Sequence, residues 1–190
     1  MEQVYITDKE YNKTNYKKQP LKKGEYECCI FENCDFSYTD LSDFIFIECL
    51  FSQCNLSLTK LKNTTFHQTE FKNCKMLGLH FEDCNELGLS FSFESCNLSH
   101  SLFYNTVIKR TSFKDAKLHE VDFSACDLTS SFFDKCDLSG AIFDNTNLEK
   151  ADLRTSFNFL IDPDKNRLKK TKFSSDGLSG LLNKYDIIIE

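Results

Sequence analysis

Residues 126–155 read CDLTS SFFDK CDLSG AIFDN TNLEK ADLRT; in every block of five the third residue is Leu or Phe and the first is Cys, Ser, Ala or Thr. Working outward, the large apolar residue recurs every fifth position from Leu153 back to Phe93. After a two-residue slip it resumes from Phe81 back to Tyr26. All 25 of these positions are large and apolar, 13 of them Phe and 9 Leu, in a chain that is 41% hydrophobic. Self-similarity at a fixed short period marks a repeat architecture.

Two places before the large residue, the centre of each block, sits a small one in 22 of the 25 blocks; Phe44, Leu79 and Phe91 are the exceptions. Neither the 3.6-residue helical period nor the two-residue strand period produces this pattern. A chain that turns a corner every five residues does. The centre and the small residue then point inward, and the other three face water.

Four corners make a square coil of 20 residues. Every twentieth residue from Phe31 gives Phe51, Phe71 and, past the slip, Phe93, Phe113 and Phe133. A second column holds Phe36, Leu56, Met76, Leu98, Leu118 and Leu138, and a third Leu41, Leu61, Phe81, Phe103, Phe123 and Phe143. The fourth holds Tyr26, Phe46, Phe66, a break, Ile108, Leu128 and Leu148. Like stacks on like. The slip, NELGLSFS at 85–92, falls on the fourth column and reads as a small bulge with Leu87 as the substitute core residue. Coils about 4.8 Å apart give a rod of about 30 Å, and its open ends need caps.

The blocks CDFSY (34–38), CNLSH (96–100), CDLSG (136–140), TNLEK (146–150) and ADLRT (151–155) resemble the pentapeptide repeat family. The resemblance implies an all-β fold, a right-handed quadrilateral parallel β-helix with a short C-terminal helix. The expected organisation is an N-terminal capping segment over 1–24, the β-helix over 25–159 and a dimerising or capping tail over 160–190. In that tail Ser175 or Asp176 can cap a helix on which Leu178, Leu181, Leu182 and Tyr185 fall at i, i+3, i+4 and i+7. Ile187, Ile188 and Ile189 end the chain as a β-prone run. An IDP–x–x–N–R segment (161–167), an LL pair (181–182) and a terminal IIIE resemble the members of the family that protect bacterial DNA gyrase, the Qnr group and the microcin immunity protein. That narrower resemblance implies a homodimer through Leu178, Leu181, Leu182, Tyr185, Ile187 and Ile189, and a rod that imitates DNA. Many Qnr proteins carry long projecting loops; this chain has only the bulge.

Net charge is −6, split into +3 over 1–23, −10 over 24–159 and +1 over 160–190. An acidic rod disfavours nucleic acid as a partner and favours a basic protein surface. The outward acids Asp115, Glu120, Asp122, Asp127, Asp134, Asp137, Asp144, Glu149 and Asp152 are the expected partner-binding face, with DNA gyrase or topoisomerase IV the partner that the resemblance implies. The other reading of the same acids is a solenoid kept soluble by charge, serving a structural or protein-interaction role without DNA mimicry.

No run of 18 apolar residues crosses a membrane, and the N-terminus lacks a signal-peptide core, so a cytoplasmic protein with reduced thiols is expected. Nine of the ten cysteines occupy the small inward position; Cys28 alone faces out and is the thiol expected to react. The histidines at 67, 80, 100 and 119 lie on different turns, and no phosphate loop or nucleophile–base arrangement stands out. The expectation is a non-enzyme with no cofactor and no metal.

Overall fold

The computed structural model describes residues 4–185, 187 and 188. These form eleven short strands: β1 (Val4–Thr7), β2 (Glu10–Asn12), β3 (Gly24–Glu27), β4 (Ile30–Glu32), β5 (Ile45–Ile47), β6 (Leu50–Ser52), β7 (Thr65–His67), β8 (Thr69–Lys72), β9 (Phe91–Glu94), β10 (Ser112–Lys114) and β11 (Phe132–Asp134). Every pairing is parallel. The first face is a seven-stranded sheet, β11-β10-β9-β8-β6-β4-β2, and the fourth a four-stranded sheet, β1-β3-β5-β7. Register is twenty residues per coil, as in Phe31↔Phe51 and Phe46↔Phe66, and twenty-two across the slip, as in Phe71↔Phe93. The second and third faces are stitched by single bridges such as Asp35↔Asn55 and Leu102↔Asp122.

The inward ladders are as read. Phe31, Phe51, Phe71, Phe93, Phe113 and Phe133 stack at 4.7–5.4 Å between ring centroids, with interplanar angles of 10–21°. The second residue after the centre holds the corner in the left-handed region at all but Asp83 and Thr155, with φ of 52° at Cys28, 56° at Leu58 and 60° at Lys150. An L residue pays about 1–2 kcal/mol there, but most corner N–H groups are hydrogen-bonded to the next coil, as in Leu58 N to Leu77 O at 2.9 Å.

The preference for Cys, Ser and Thr two places before the centre has a second cause besides size. Their side chains donate to the carbonyl of the preceding coil: Thr64 Oγ1 to Leu41 O at 2.8 Å, Thr146 Oγ1 to Phe123 O at 2.8 Å, Cys54 Sγ to Phe31 O at 3.3 Å. A buried donor is thereby satisfied inside the wall of the rod.

Three expectations need correction. Of the expected 1–24 capping segment, the described residues 4–24 do not lie over the first coil; they are themselves a coil. Ile6 pairs with Tyr26 and Tyr11 with Phe31, and Tyr11 and Tyr16 stack on Phe31 and Phe36 at 4.9 and 4.4 Å. The five-residue spacing 6, 11, 16, 21 was there to be read. The rod also continues past 159: Asn147 bridges Arg167 and Asp152 bridges Lys172. Leu87 does not fill the bulge. It is 82% exposed, and Leu89 packs against the core in its place, because Gly88 turns the chain at φ 75°.

The tail is a chain of short turns. A 3-10 turn (Asp176–Leu178), helix α1 (Ser179–Leu182) and a second 3-10 turn (Asn183–Tyr185) succeed one another, and neither Ser175 nor Asp176 makes the expected capping bond. Gly180 seats α1 on the last coil; a Cβ there would lie 2.3 Å from the Phe159 carbonyl oxygen.

Candidate protein-interaction surfaces

At nine of the 25 blocks the residue before the centre is Asp or Asn, and the structure gives it a structural duty. Its side-chain oxygen accepts from the backbone N–H two residues on: Asp35 from Ser37 at 3.0 Å, Asp122 from Ser124 at 2.8 Å, Asp127 from Thr129 at 3.0 Å, Asp137 from Ser139 at 3.2 Å and Asp152 from Arg154 at 3.2 Å. These are Asx turns that pin the corner. The sequence reading took these aspartates as purely outward groups, and four of the nine expected partner-binding acids (Asp122, Asp127, Asp137 and Asp152) are of this kind.

Their titration follows from that duty. Burial alone would raise the carboxyls of Asp35, Asp127 and Asp137, but hydrogen bonds outweigh it and hold all three below the usual range; Asp137 has Ser139, Asn158 and His119 as donors. Hydrogen bonds from Ser42 and from Arg154 depress Asp40 and Asp152 likewise. A carboxyl depressed on folding stabilises the native state above its unfolded value of about 3.9 and loses that contribution as pH falls through the folded value. Thermal melts followed by circular dichroism should therefore give a constant Tm from about pH 7 to 5 and a falling one below about 4. A Tm unchanged at pH 3 would contradict the Asx-turn account.

The nine acids do not share a face. Asp115, Asp134 and Asp152 lie on the first face, Glu120 and Asp137 on the second, Asp122 and Asp144 on the third, and Asp127 and Glu149 on the fourth. Most are answered locally: His119 Nε2 stands 2.7 Å from Asp137, His100 3.3 Å from Glu120, and Lys109 3.2 Å from Asp127. On the first face the outward column alternates Lys72, Glu94, Lys114, Asp134, with Lys114 2.6 Å from Glu94.

One acidic surface does assemble, on the later half of the third face. Asp122 and Asp144 are joined there by Glu82, Asp83, Asp162 and Asp164, none of them among the nine acids of the expected partner-binding face. Burial raises the Glu82 carboxyl, and His80 stands 3.0 Å away. Lys184 pairs with both Asp162 and Asp164, which ties the tail to this face. Tyr104 and Ile142 are exposed among these acids. A signal was available: collecting outward residues every twenty positions would have grouped them.

Beyond lies the tail. Leu178, Tyr185 and Ile187 are about half exposed, Leu181 packs partly against the core, and Leu182 is half-buried. Ile188 is exposed and forms no strand; Ile189 lies outside the described residues. Clefts of about 420 and 930 Å³ flank α1, the first lined by Ile142, Leu160 and Leu181, the second by Phe157, Phe159 and Asn183.

The cysteine chemistry is muted. Burial pushes the Cys49, Cys126 and Cys136 thiols up to about 12. Cys28 is exposed as expected, but desolvation and the carboxylates of Glu48, Asp8 and Glu27 raise its thiol, so it is a poorer nucleophile than an ordinary cysteine. Among the described residues no group of three or more His, Cys, Asp or Glu side chains could hold a metal ion, and no helix is long and apolar enough to cross a membrane.

Comparison with solved structures finds the same fold in one of those reported. A trypsin-treated variant of QnrB1, a plasmid-mediated fluoroquinolone resistance protein, is 19% identical, with a TM-score of 0.64 over 98% of this chain and 100% of that one. Full-length QnrB1 is 20% identical over 95% and 99%, with a TM-score of 0.48. HetL, a pentapeptide repeat protein involved in heterocyst differentiation regulation from the cyanobacterium Nostoc sp. strain PCC 7120, is 16% identical over 90% and 86%, with a TM-score of 0.32. No curated protein matches the sequence. The sequence profile of the pentapeptide repeat region matches residues 25–92 and 80–153, which together span about two thirds of the chain. A square coil, its corners pinned every fifth residue, and that match make this chain a member of the pentapeptide repeat family.

Proposed function

We propose that this protein is a non-catalytic, cytoplasmic rod that binds a bacterial type II topoisomerase, DNA gyrase or topoisomerase IV, in place of DNA and so protects it from a quinolone or a peptide poison. The observation that carries the reading is the acidic half of the third face. Six acids from Glu82 to Asp164 span four coil steps, about 19 Å at about 4.8 Å per coil. That is one acid per ~3 Å, against one phosphate per 1.7 Å of duplex. Imitation is partial and one-sided. The likeness in shape to QnrB1, over the whole length of both chains, supports the same reading. The tail would join two copies through Leu178, Leu181, Leu182, Tyr185, Ile187 and Ile189 and lengthen the acidic rod.

The test needs acids that hold no corner. Asp83 and Asp144 make no Asx turn, whereas reversing Asp122, Asp127 or Asp137 would loosen the coil as well as the surface. Asp83→Lys with Asp144→Lys should weaken binding to gyrase by tenfold or more in surface plasmon resonance, with the circular dichroism spectrum and Tm unchanged. Wild-type affinity in the double variant would remove the third face from the account.

A further inference from the structure

The last coils of the fourth face are basic, against the sign of the rod as a whole. Val107, Asp127, Asn147 and Arg167 succeed one another by single bridges, one coil apart. Lys109, Arg110, Lys150, Arg167, Lys169 and Lys170 therefore lie within three coil steps, and all six are exposed. On the same coils the face carries two acids, Asp127 and Glu149, which leaves a surplus of four positive charges. Among the described residues only Lys109 of the six makes a salt bridge, with Asp127 at 3.2 Å. The N-terminal lysines form no such patch. They encircle the first coil, and Lys17 and Lys23 are taken up by Asp35 at 3.3 Å and Asp43 at 2.6 Å.

The patch is built on the edge where the fourth face turns into the first. Arg110, Lys150 and Lys170 are corner residues with φ of 60°, 60° and 61°, and Ser130 holds the corner between the first two at 60°. Around the edge, on the first face, Asp152 is answered twice, by Arg154 at 2.8 Å and Lys172 at 3.6 Å. The acidic third face adjoins the fourth along its other edge. Glu48, back along the same corner column, is three coil steps from Arg110, about 14 Å at about 4.8 Å each, beyond the screening length of about 8 Å in physiological salt. Glu86, which lines a cleft with Val107 at the bulge, is the one nearer acid on this face and bounds the patch.

Four surplus charges over about 14 Å is one per ~3.6 Å, and one strand of duplex DNA presents a phosphate per about 3.4 Å of its axis. Between Arg110 and Lys170 the uncharged outward residues of the face are Thr129, Ser130 and Asn147. The exposed apolar residues stand outside it: Val107 at its margin and Phe132 around the corner. The patch thus has no apolar anchor of the kind that centres a protein interface. We propose that this basic edge binds the phosphate backbone of duplex DNA. Backbone contacts carry no sequence information, so the binding is indifferent to sequence. It does not rest on topoisomerase binding.

The experiment is fluorescence polarisation with full-length protein and a labelled 20-bp duplex. Wild-type protein should bind in the micromolar range at 50 mM salt and about a hundredfold more weakly at 200 mM, as about four phosphate contacts require. A duplex of unrelated sequence should bind equally. Lys150→Glu with Lys170→Glu should weaken binding tenfold or more with Tm unchanged, since Glu48 and Glu120 already hold such corners at φ of 51° and 52°. Lys9→Glu with Lys13→Glu makes the same change of charge on the first coil and should leave affinity within twofold of wild type. No binding at 50 mM salt would overturn the proposal. So would equal losses in the two double variants, which mark attraction by net charge alone. Displacement of the duplex by polyglutamate or by phosphatidylserine vesicles at a lower charge concentration would overturn it too, and would assign the edge to an acidic protein or to a membrane.

Discussion

Phe93→Ala should lower Tm by about 6–20 °C. The ring of Phe93 stacks between Phe71 and Phe113 at 5.4 and 5.2 Å, meets Phe91 at 4.9 Å and stands edge-on to Phe81 at 5.9 Å. Removing a buried Phe costs about 3–5 kcal/mol when its neighbours cannot collapse into the gap, and these rings are held in place by their own coils. A stack of coils is close to one-dimensional, so a break in the middle also uncouples the two halves. For a chain of this size each kcal/mol moves Tm by roughly 2–4 °C. The same substitution at Tyr11, half-buried on the first coil, should cost clearly less. Equal losses at the two sites, measured by differential scanning calorimetry, would refute the stacked-ladder account of stability.

Gly180→Ala should release the tail while sparing the rod. A methyl at that position would sit 2.3 Å from the Phe159 carbonyl oxygen and 2.9 Å from its ring, where backbone cannot yield. The hydrogen bond from Ile161 N to Gly180 O, 3.0 Å, would go with it. Helix α1 is four residues long, too short to persist undocked. If the tail joins two copies, light scattering on the variant should read half the wild-type mass, with the far-ultraviolet signal of the β-helix retained. A variant with wild-type mass would take the pairing role away from the tail.

How far the sequence could be read depended on which side of the wall a residue faces. Inward positions were legible because a large apolar centre recurs in all 25 blocks and a small residue in 22 of them, and their columns can be counted off in twenties. The first coil escaped because Ile6, Tyr11, Tyr16 and Leu21 lie among lysines, and charge drew attention away from spacing. The bulge escaped for a different reason. Leu87 and Leu89 are equivalent in composition, and only the left-handed turn at Gly88 decides which of them goes in.

Outward positions carry no such periodic constraint, and there the acids were misgrouped. Asp122, Asp127 and Asp137 looked like free surface charge, yet each closes its own corner. Asp83, Asp162 and Asp164 lay outside the repeat consensus, so only the coil register brings them to the same face as Asp144.

The most direct test of the topoisomerase reading is a gyrase supercoiling assay with purified protein titrated against a fixed fluoroquinolone concentration. The account predicts that wild-type protein restores supercoiling in the presence of drug, that high doses inhibit the enzyme in its absence, and that the Asp83→Lys, Asp144→Lys variant does neither. Supercoiling indifferent to the protein across micromolar doses, with and without drug, would contradict it.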